Sequence, residues 1–323
     1  MSRSRPHGRR AVRSAGRSTQ QWHHRRRARL PPRLPCRQPR RRPQAPRAGA
    51  AAAHLNEKEK GWRYVDTHAG AGGYSLAGSY GQKHREYEAG IGRLVQRGPG
   101  ASALPQPVQQ YVDTVRAFDA ARSTGAPAGE ALRQYPGSPA IAHAFKRAQD
   151  QSRLFELHPT EHKILAGFLG GESGCEVRMA DGYSALKSVL PPPTRRGLVL
   201  IDPPYELKTD YAKALGTLRE ALTRFPEGIV MVWLPQVQLV EAAQLPQRLK
   251  ASAEAQARKG WLHARLTVRE ADARGFGLLG SSVFVANPPH TLFATLQPVL
   301  PWLARELAQF EGAKGYVERS ASA

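Results

Sequence analysis

Gly197-Leu-Val-Leu-Ile-Asp-Pro-Pro-Tyr205 is the stretch whose reading decides the fold. Leu198 to Ile201 are apolar without a break, the pattern of a short strand buried on both faces inside a parallel sheet. Proline cannot donate to a strand ladder, so Pro203 and Pro204 end the strand. In open α/β sheets, ligands bind outside the carboxyl ends of the strands. An acid (Asp202), two conformationally fixed carbonyls and an aromatic ring (Tyr205) are therefore expected at the mouth of a site.

That set suits methylation of an amine on a planar base. An exocyclic amine conjugated to a purine is a poor nucleophile, because its lone pair is delocalised. The Asp202 carboxylate and the Pro203 carbonyl can accept both N–H groups and favour a tetrahedral nitrogen. Charge developing there is then stabilised by groups already in place. Tyr205 can stack on a base extruded from its helix. A Pro-Pro pair alone would fit an ordinary turn, but the whole Asp-Pro-Pro-Tyr set directly after a buried strand favours the site.

Working outward, strands and helices alternate, which predicts a doubly wound sheet. Trp62 to Thr67 reads as the first strand and runs into His68-Ala-Gly-Ala-Gly-Gly73. Glycines such as Gly70 after a first strand let backbone approach a cofactor closely, although this is not the full dinucleotide fingerprint. Residues 78–134 interrupt the alternation with two helical stretches and are read as an inserted helical subdomain. Its Arg85, Arg93, Arg97 and Arg116 are expected to meet RNA phosphates. Pro139 opens the next helix with Ser138 before it as a cap. Ser152 to His158 is a second strand carrying Glu156 at its end, where an acid suits a ribose diol. A solvated strand end is the plainer reading of Glu156 alone. Cys175 to Met179 is a third strand followed by Ala180-Asp181-Gly182. Beyond Tyr205 come a long helix, a buried strand at Gly228–Leu234, a polar helix, an antiparallel pair at Leu262–Glu270 and Ser281–Ala286, and a C-terminal helix broken near Pro301.

The net charge of +22 is uneven. Residues 1–53 hold sixteen Arg and no Lys, Asp or Glu, which leaves +6 for residues 54–323. The body is mildly basic, so nucleic acid is plausible without being demanded. Residues 1–53 are rich in Arg and Pro and lack apolar periodicity, so they are expected to be disordered. The two cysteines, Cys36 and Cys175, form neither a metal-ligand spacing nor a disulfide framework. No run has the length of a membrane span, and no secretory h-region opens the chain. A cytoplasmic protein without a metal site is expected.

Asp66-Thr-His-Ala-Gly-Ala-Gly72, Tyr135-Pro-Gly-Ser-Pro139, Glu156-Leu-His-Pro159, Ala180-Asp-Gly182 and Leu200-Ile-Asp-Pro-Pro-Tyr205 occur in this order. Together they closely resemble the large-subunit ribosomal RNA methyltransferase J family over about residues 54–310. The resemblance implies a Rossmann-like class I S-adenosylmethionine-dependent methyltransferase sheet with an inserted helical subdomain. It further implies methylation of the N6 amine of one adenine in 23S rRNA by a monomer. His68, Gly70, Ser138, Glu156, Asp181, Gly182 and Asp202 would then contact S-adenosylmethionine, Glu156 through the ribose hydroxyls and Asp181 through the adenine amine. Asp202 would be the catalytic acceptor, with Pro203, Pro204 and Tyr205 beside it. For His68 a satisfied loop histidine is the structural alternative, and for Ser138 the cap. Two other functions fit the motif: a DNA adenine methyltransferase, and a non-catalytic RNA-binding protein on the same scaffold.

The family normally opens with Tyr-Arg-His, Phe-His-Ala-Gly-Asn, Ala-Asp-Val and Lys-His, and residues 1–53 contain none of these. Moving the codon frame by one base lets Leu30 to Ala45 spell that opening. Gln38 before Pro39 then permits only Asn or Ser, and Gln44 before Ala45 only Lys or Arg. Residues 30–53 are expected to be the family N-terminus in a shifted frame, with the proper frame restored near Ala53.

Overall fold

The computed structural model describes residues 45–76, 87–97, 102–123, 131–272, 274 and 277–321. All of them belong to a unit spanning Arg37–Ala323. The expectations for residues 1–44 and for Arg85 lie outside the described residues.

Ten strands are present among them: β1 (Arg63–Asp66), β2 (Gly73–Ser75), β3 (Gln134–Pro136), β4 (Gln151–Phe155), β5 (Cys175–Arg178), β6 (Gly197–Ile201), β7 (Ile229–Gln236), β8 (Trp261–Thr267), β9 (Gly280–Ala286) and β10 (Lys314–Arg319). Eight form one sheet in the order β10-β8-β9-β7-β6-β1-β4-β5. The five strands β5, β4, β1, β6 and β7 run parallel. All of β6 and β7 is buried, as the unbroken apolar run requires of a central parallel strand. β9 is antiparallel to both its neighbours, β7 and β8, and β10 adds antiparallel to β8. The chain leaves β1 toward β4 and later returns to the other side of β1 as β6. Strand order therefore reverses at β1 and β6, the place where a doubly wound sheet forms its ligand crevice.

The expected insertion is built on a small second sheet. β2 pairs antiparallel with β3, Tyr74 opposite Tyr135, and closes the base of the excursion. Its described parts are a π-helical turn at Glu88–Gly92 running into Arg93–Val95, and a helix at Gln106–Arg122. Three of the arginines expected to meet RNA also bond within the chain, Arg93 and Arg116 from exposed positions and Arg97 from a half-buried one. Arg93 donates to the Ala308 carbonyl at 3.1 Å and Arg116 to the Val95 carbonyl at 2.8 Å. Arg97 pairs with Glu306 at 2.8 Å and lies 5.2 Å from the Trp302 ring centroid. Their acceptors arrive from a helix two hundred residues away or from the neighbouring turn, so charge in the sequence could not show that they were engaged.

Two further expectations are corrected. The boundary at 53/54 falls inside a helix, Ala45–Asn56, whose Ala51, Ala52 and Leu55 enter the core. Alanine has the highest helix propensity, and the small face lies close against the helix at Ser138–Phe145; a Cβ at Gly49 would stand 3.2 Å from the Phe145 ring. The disordered reading therefore fails for residues 45–53. The C-terminal helix, Leu292–Glu306, is continuous through Pro298 and Pro301. Both prolines are exposed, as are Ala294 and Gln297, whose carbonyls lose their intrahelical donors. Water can satisfy those carbonyls while Leu296, Val299, Leu300 and Leu303 on the other face remain buried.

Candidate active site

Every parallel strand of the sheet ends on the same edge, and the residues singled out in the sequence collect there. Asp202 follows β6 directly and is 4% exposed. Pro203 is buried and Pro204 exposed. Tyr205 has φ = 54°, a left-handed conformation that costs a non-glycine residue of order 1–2 kcal/mol. The turn is held by the Tyr205 hydroxyl, which donates to the Trp233 carbonyl at 2.6 Å. Its ring packs against Tyr211, with centroids 4.8 Å apart. Burial first, then the nearby Asp202 charge, pushes the Tyr205 phenol well above its ordinary value, so it remains a donor at neutral pH.

The loop after β1 is stitched to both neighbouring strands. The Thr67 N–H and hydroxyl both donate to the Leu200 carbonyl of β6, each at 3.1 Å. The Ala69 N–H donates to the Phe155 carbonyl of β4 at 2.9 Å. Because the Thr67 hydroxyl proton points to Leu200, its contact with His68 Nδ1 at 2.8 Å places a proton on Nδ1. In the neutral ring Nε2 is then the acceptor nitrogen. The His68 ring stands edge-on to Tyr183 at 4.6 Å.

Glu156, 1% exposed, receives the Gly70 N–H on one oxygen at 2.7 Å and the His158 N–H on the other at 2.8 Å. A carboxylate has about four lone-pair positions, so these two bonds do not exhaust its capacity. Gly70 at φ = 63° makes that approach possible. Asp181 is exposed and caps the helix Gly182–Val189 by accepting the Tyr183 N–H at 3.1 Å. Gly182 has a packing reason of its own, since any Cβ there would overlap the Thr67 carbonyl.

The expected cap at Ser138 is replaced by a different bond. Gly137 occupies the N-cap position and Ser138 is the first helical residue. The Ser138 hydroxyl donates to Asp66 Oδ2 at 2.6 Å across 72 residues of sequence. Asp66 is fully buried and also accepts the Tyr64 hydroxyl at 2.8 Å and the His68 N–H at 3.1 Å. It ties β1, the glycine loop and the Ser138 helix together, although nothing in the sequence singled it out as a site residue. Position was the one available signal, an acid closing the first strand just before a glycine loop. Leu157 and Met179, exposed at 60% and 59% directly after β4 and β5, are likewise not apparent from the sequence.

A doubly wound sheet with acids at four strand ends and an Asp-Pro-Pro-Tyr turn beside its switch point defines a Rossmann-like methyltransferase. Comparison with known proteins narrows this. The protein-family model for "Ribosomal RNA large subunit methyltransferase D, RlmJ" matches residues 59–318. The ribosomal RNA large subunit methyltransferase J of Escherichia coli K12 is 39% identical over 254 residues, covering 78% of this chain and 84% of that protein. The protein of the same name from Haemophilus influenzae is 37% identical over 255 residues, covering 79% and 85%. A crystal structure of a Legionella pneumophila protein superposes with a TM-score of 0.73 at 27% identity, covering 86% of this chain and 96% of that one. The chain belongs to the RlmJ family of large-subunit ribosomal RNA methyltransferases.

Proposed function

We propose that the chain methylates the exocyclic N6 amine of an adenine in 23S rRNA, with S-adenosylmethionine as donor and Asp202 as the catalytic acceptor. The observation that carries this is the buried Asp202 at the carboxyl end of β6, beside the crossover to β1 and followed by a strained, tightly held turn. When bound, the cofactor supplies an electrophilic methyl group. The donor set suits it: Glu156 has acceptor capacity for ribose hydroxyls, exposed Asp181 for an adenine amine, and Leu157 with Met179 offers apolar surface to a purine. His68, Gly70, Ser138 and Gly182 shape the loop around it. Asp202 and the Pro203 carbonyl accept the two N–H groups of the target amine and stabilise charge as it develops on nitrogen. Tyr205 forms the wall against which the extruded base rests. Acting on ribosomal RNA, the chain would work as a monomer in the cytoplasm. Among the described residues no helix is long and apolar enough to cross a membrane.

The test is transfer of labelled methyl groups to unmethylated 23S rRNA and to duplex DNA, with nuclease digestion of the product. N6-methyladenosine from rRNA alone is expected. Label in DNA would point to a DNA adenine methyltransferase, and RNA binding without label to a non-catalytic scaffold.

The shifted frame over residues 30–53 belongs to the same proposal. The family match begins only at residue 59, and Ala48 to Ala51 stand where a one-base shift can spell leucines. Resequencing the gene decides it. Codons unable to spell the family opening end the idea, and a chain with the opening restored should methylate faster than this one.

A further inference from the structure

Five of the seven large apolar side chains exposed among the described residues follow the carboxyl ends of parallel strands. Scattered exposed apolar residues are ordinary, whereas apolar groups gathered on one edge mark a contact surface. Leu157 and Met179 lie on the proposed cofactor side. Leu207 after β6, and Leu239 with Val240 after β7, lie on the other; they are 62%, 39% and 67% exposed.

A second observation concerns where two of these residues sit. Leu207 is the N-cap of the helix Lys208–Arg224 and Leu239 the N-cap of the helix Val240–Gln256. Both have extended backbones that Ser or Asp would suit, yet leucine offers no acceptor and is among the poorest residues there. Two neighbouring helices thus lack an acceptor side chain at the N-cap position and expose leucine on the same edge, although in the first Asp210 accepts the Leu207 N–H at 3.4 Å. Lys208 Nζ meets Glu241 Oε1 at 3.2 Å, which brings the two helix starts together and neutralises the charge between them.

We propose that Leu207, Leu239 and Val240 form the platform for the nucleotides flanking the target adenine. This rests on the rRNA methyltransferase reading and deepens it. A base can reach Asp202 only by leaving its stack, and its neighbours then expose apolar faces. Leu207 stands two residues beyond Tyr205, so the patch continues from the catalytic turn to where those faces must lie. With Lys208 paired to Glu241, the contact is apolar rather than ionic.

The experiment uses the full chain and its Leu207→Ser/Leu239→Ser variant. Serine adds a cap at both helices, so the variant should melt at or above the wild type, and misfolding cannot mimic the result. Affinity for unmethylated 23S rRNA, measured with S-adenosylhomocysteine present, should fall about five- to twentyfold for two lost apolar contacts. The slope of log affinity against log salt should stay the same, because no phosphate contact is lost. S-adenosylhomocysteine binding should not change, and KM for RNA should rise more than kcat falls. Unchanged RNA affinity overturns the proposal. So does a flatter salt slope, or a wild-type dimer that the variant dissociates, which would make the patch an interface between copies. If the wild type binds RNA but transfers no methyl group, the catalytic reading fails while the binding comparison still decides the patch.

Discussion

Two strands of this protein end in a Pro-Pro turn, and the two turns do different work. Asp202-Pro-Pro-Tyr205 follows β6 and Asn287-Pro-Pro-His290 follows β9. Both strands are fully buried, and each turn places one non-glycine residue in the left-handed region, Tyr205 at φ = 54° and Asn287 at φ = 53°. The difference is direction. β6 runs with its parallel neighbours, so its turn opens onto the ligand edge. β9 runs against β7 and β8, so its turn lies at the opposite edge. There Asn287 donates to the carbonyls of Pro226 and Gly228 at 2.8 and 2.7 Å and accepts the Lys259 N–H at 2.8 Å. A similar sequence thus gives a turn at the proposed reactive edge in one case and a structural knot on the opposite edge in the other.

The comparison breaks most sharply at the acids and amides themselves. Asp202→Ala should lower methyl transfer to rRNA a hundredfold or more while the chain stays folded, as expected when a preorganised charge-stabilising group is lost. Asn287→Ala should leave turnover per folded molecule within about twofold. Comparable rate losses in both would mean that strand direction does not separate their roles.

Asn287→Ala should instead cost about 2–4 kcal/mol of stability, since it strands backbone groups that the side chain satisfies in the interior. Denaturant unfolding measures this. A midpoint equal to the wild type would remove the structural reading of that edge.

Asp150 sharpens the same contrast, being an acid of the same type as Asp202 at the start of a parallel strand rather than the end. It is 1% exposed and accepts the Trp62 N–H at 3.0 Å, the Arg147 N–H at 2.9 Å and two guanidinium bonds. Burial acts to raise its pKa, but the Arg147 and Trp62 bonds outweigh it and hold the carboxyl below its usual value. The folded pKa lies below the unfolded one, so this stabilisation is complete above the unfolded value of about 3.9 and fades as pH falls through the folded value. Asp150→Asn should therefore be less stable than the wild type at pH 7 and pH 5, with the gap closing below about pH 4. Turnover per folded molecule should be unaffected. A gap that widened in acid would contradict the assignment.

The smallest effect is expected at Tyr205→Phe. It loses one hydrogen bond to the Trp233 carbonyl, about 0.5–1.5 kcal/mol, and keeps the ring. A modest drop in melting temperature with nearly full methyl transfer would assign the hydroxyl to the turn and the ring to the base.

Much of the ligand edge is legible in the amino-acid sequence alone. Leu198–Ile201 announce a buried parallel strand, and the prolines announce its end, because both signals belong to adjacent residues. Asp202, Glu156 and Asp181 can be placed at strand ends on that ground. The Ser138 bond cannot be read from the sequence, because a serine before Pro139 looks like a cap, while its hydroxyl's partner, Asp66, comes from the end of β1, 72 residues away. β10 is hidden for a related reason. Lys314-Gly-Tyr-Val-Glu-Arg319 is an edge strand with no residue fully buried, so it shows no apolar run, and only pairing with β8 makes it a strand.

The sequence by itself determined the order of the main strands, the acids Glu156, Asp181 and Asp202 after three of them, and the membership of the family. Apolar runs, proline stops and motif spacing are local properties that survive in an unfolded chain. Tertiary structure decided which Pro-Pro turn faces the ligand edge, which arginines are engaged by distant carbonyls, and where Ser138 sends its proton. Those outcomes depend on which segments meet, and a hydrogen bond exists only once both partners have been brought within about 3 Å.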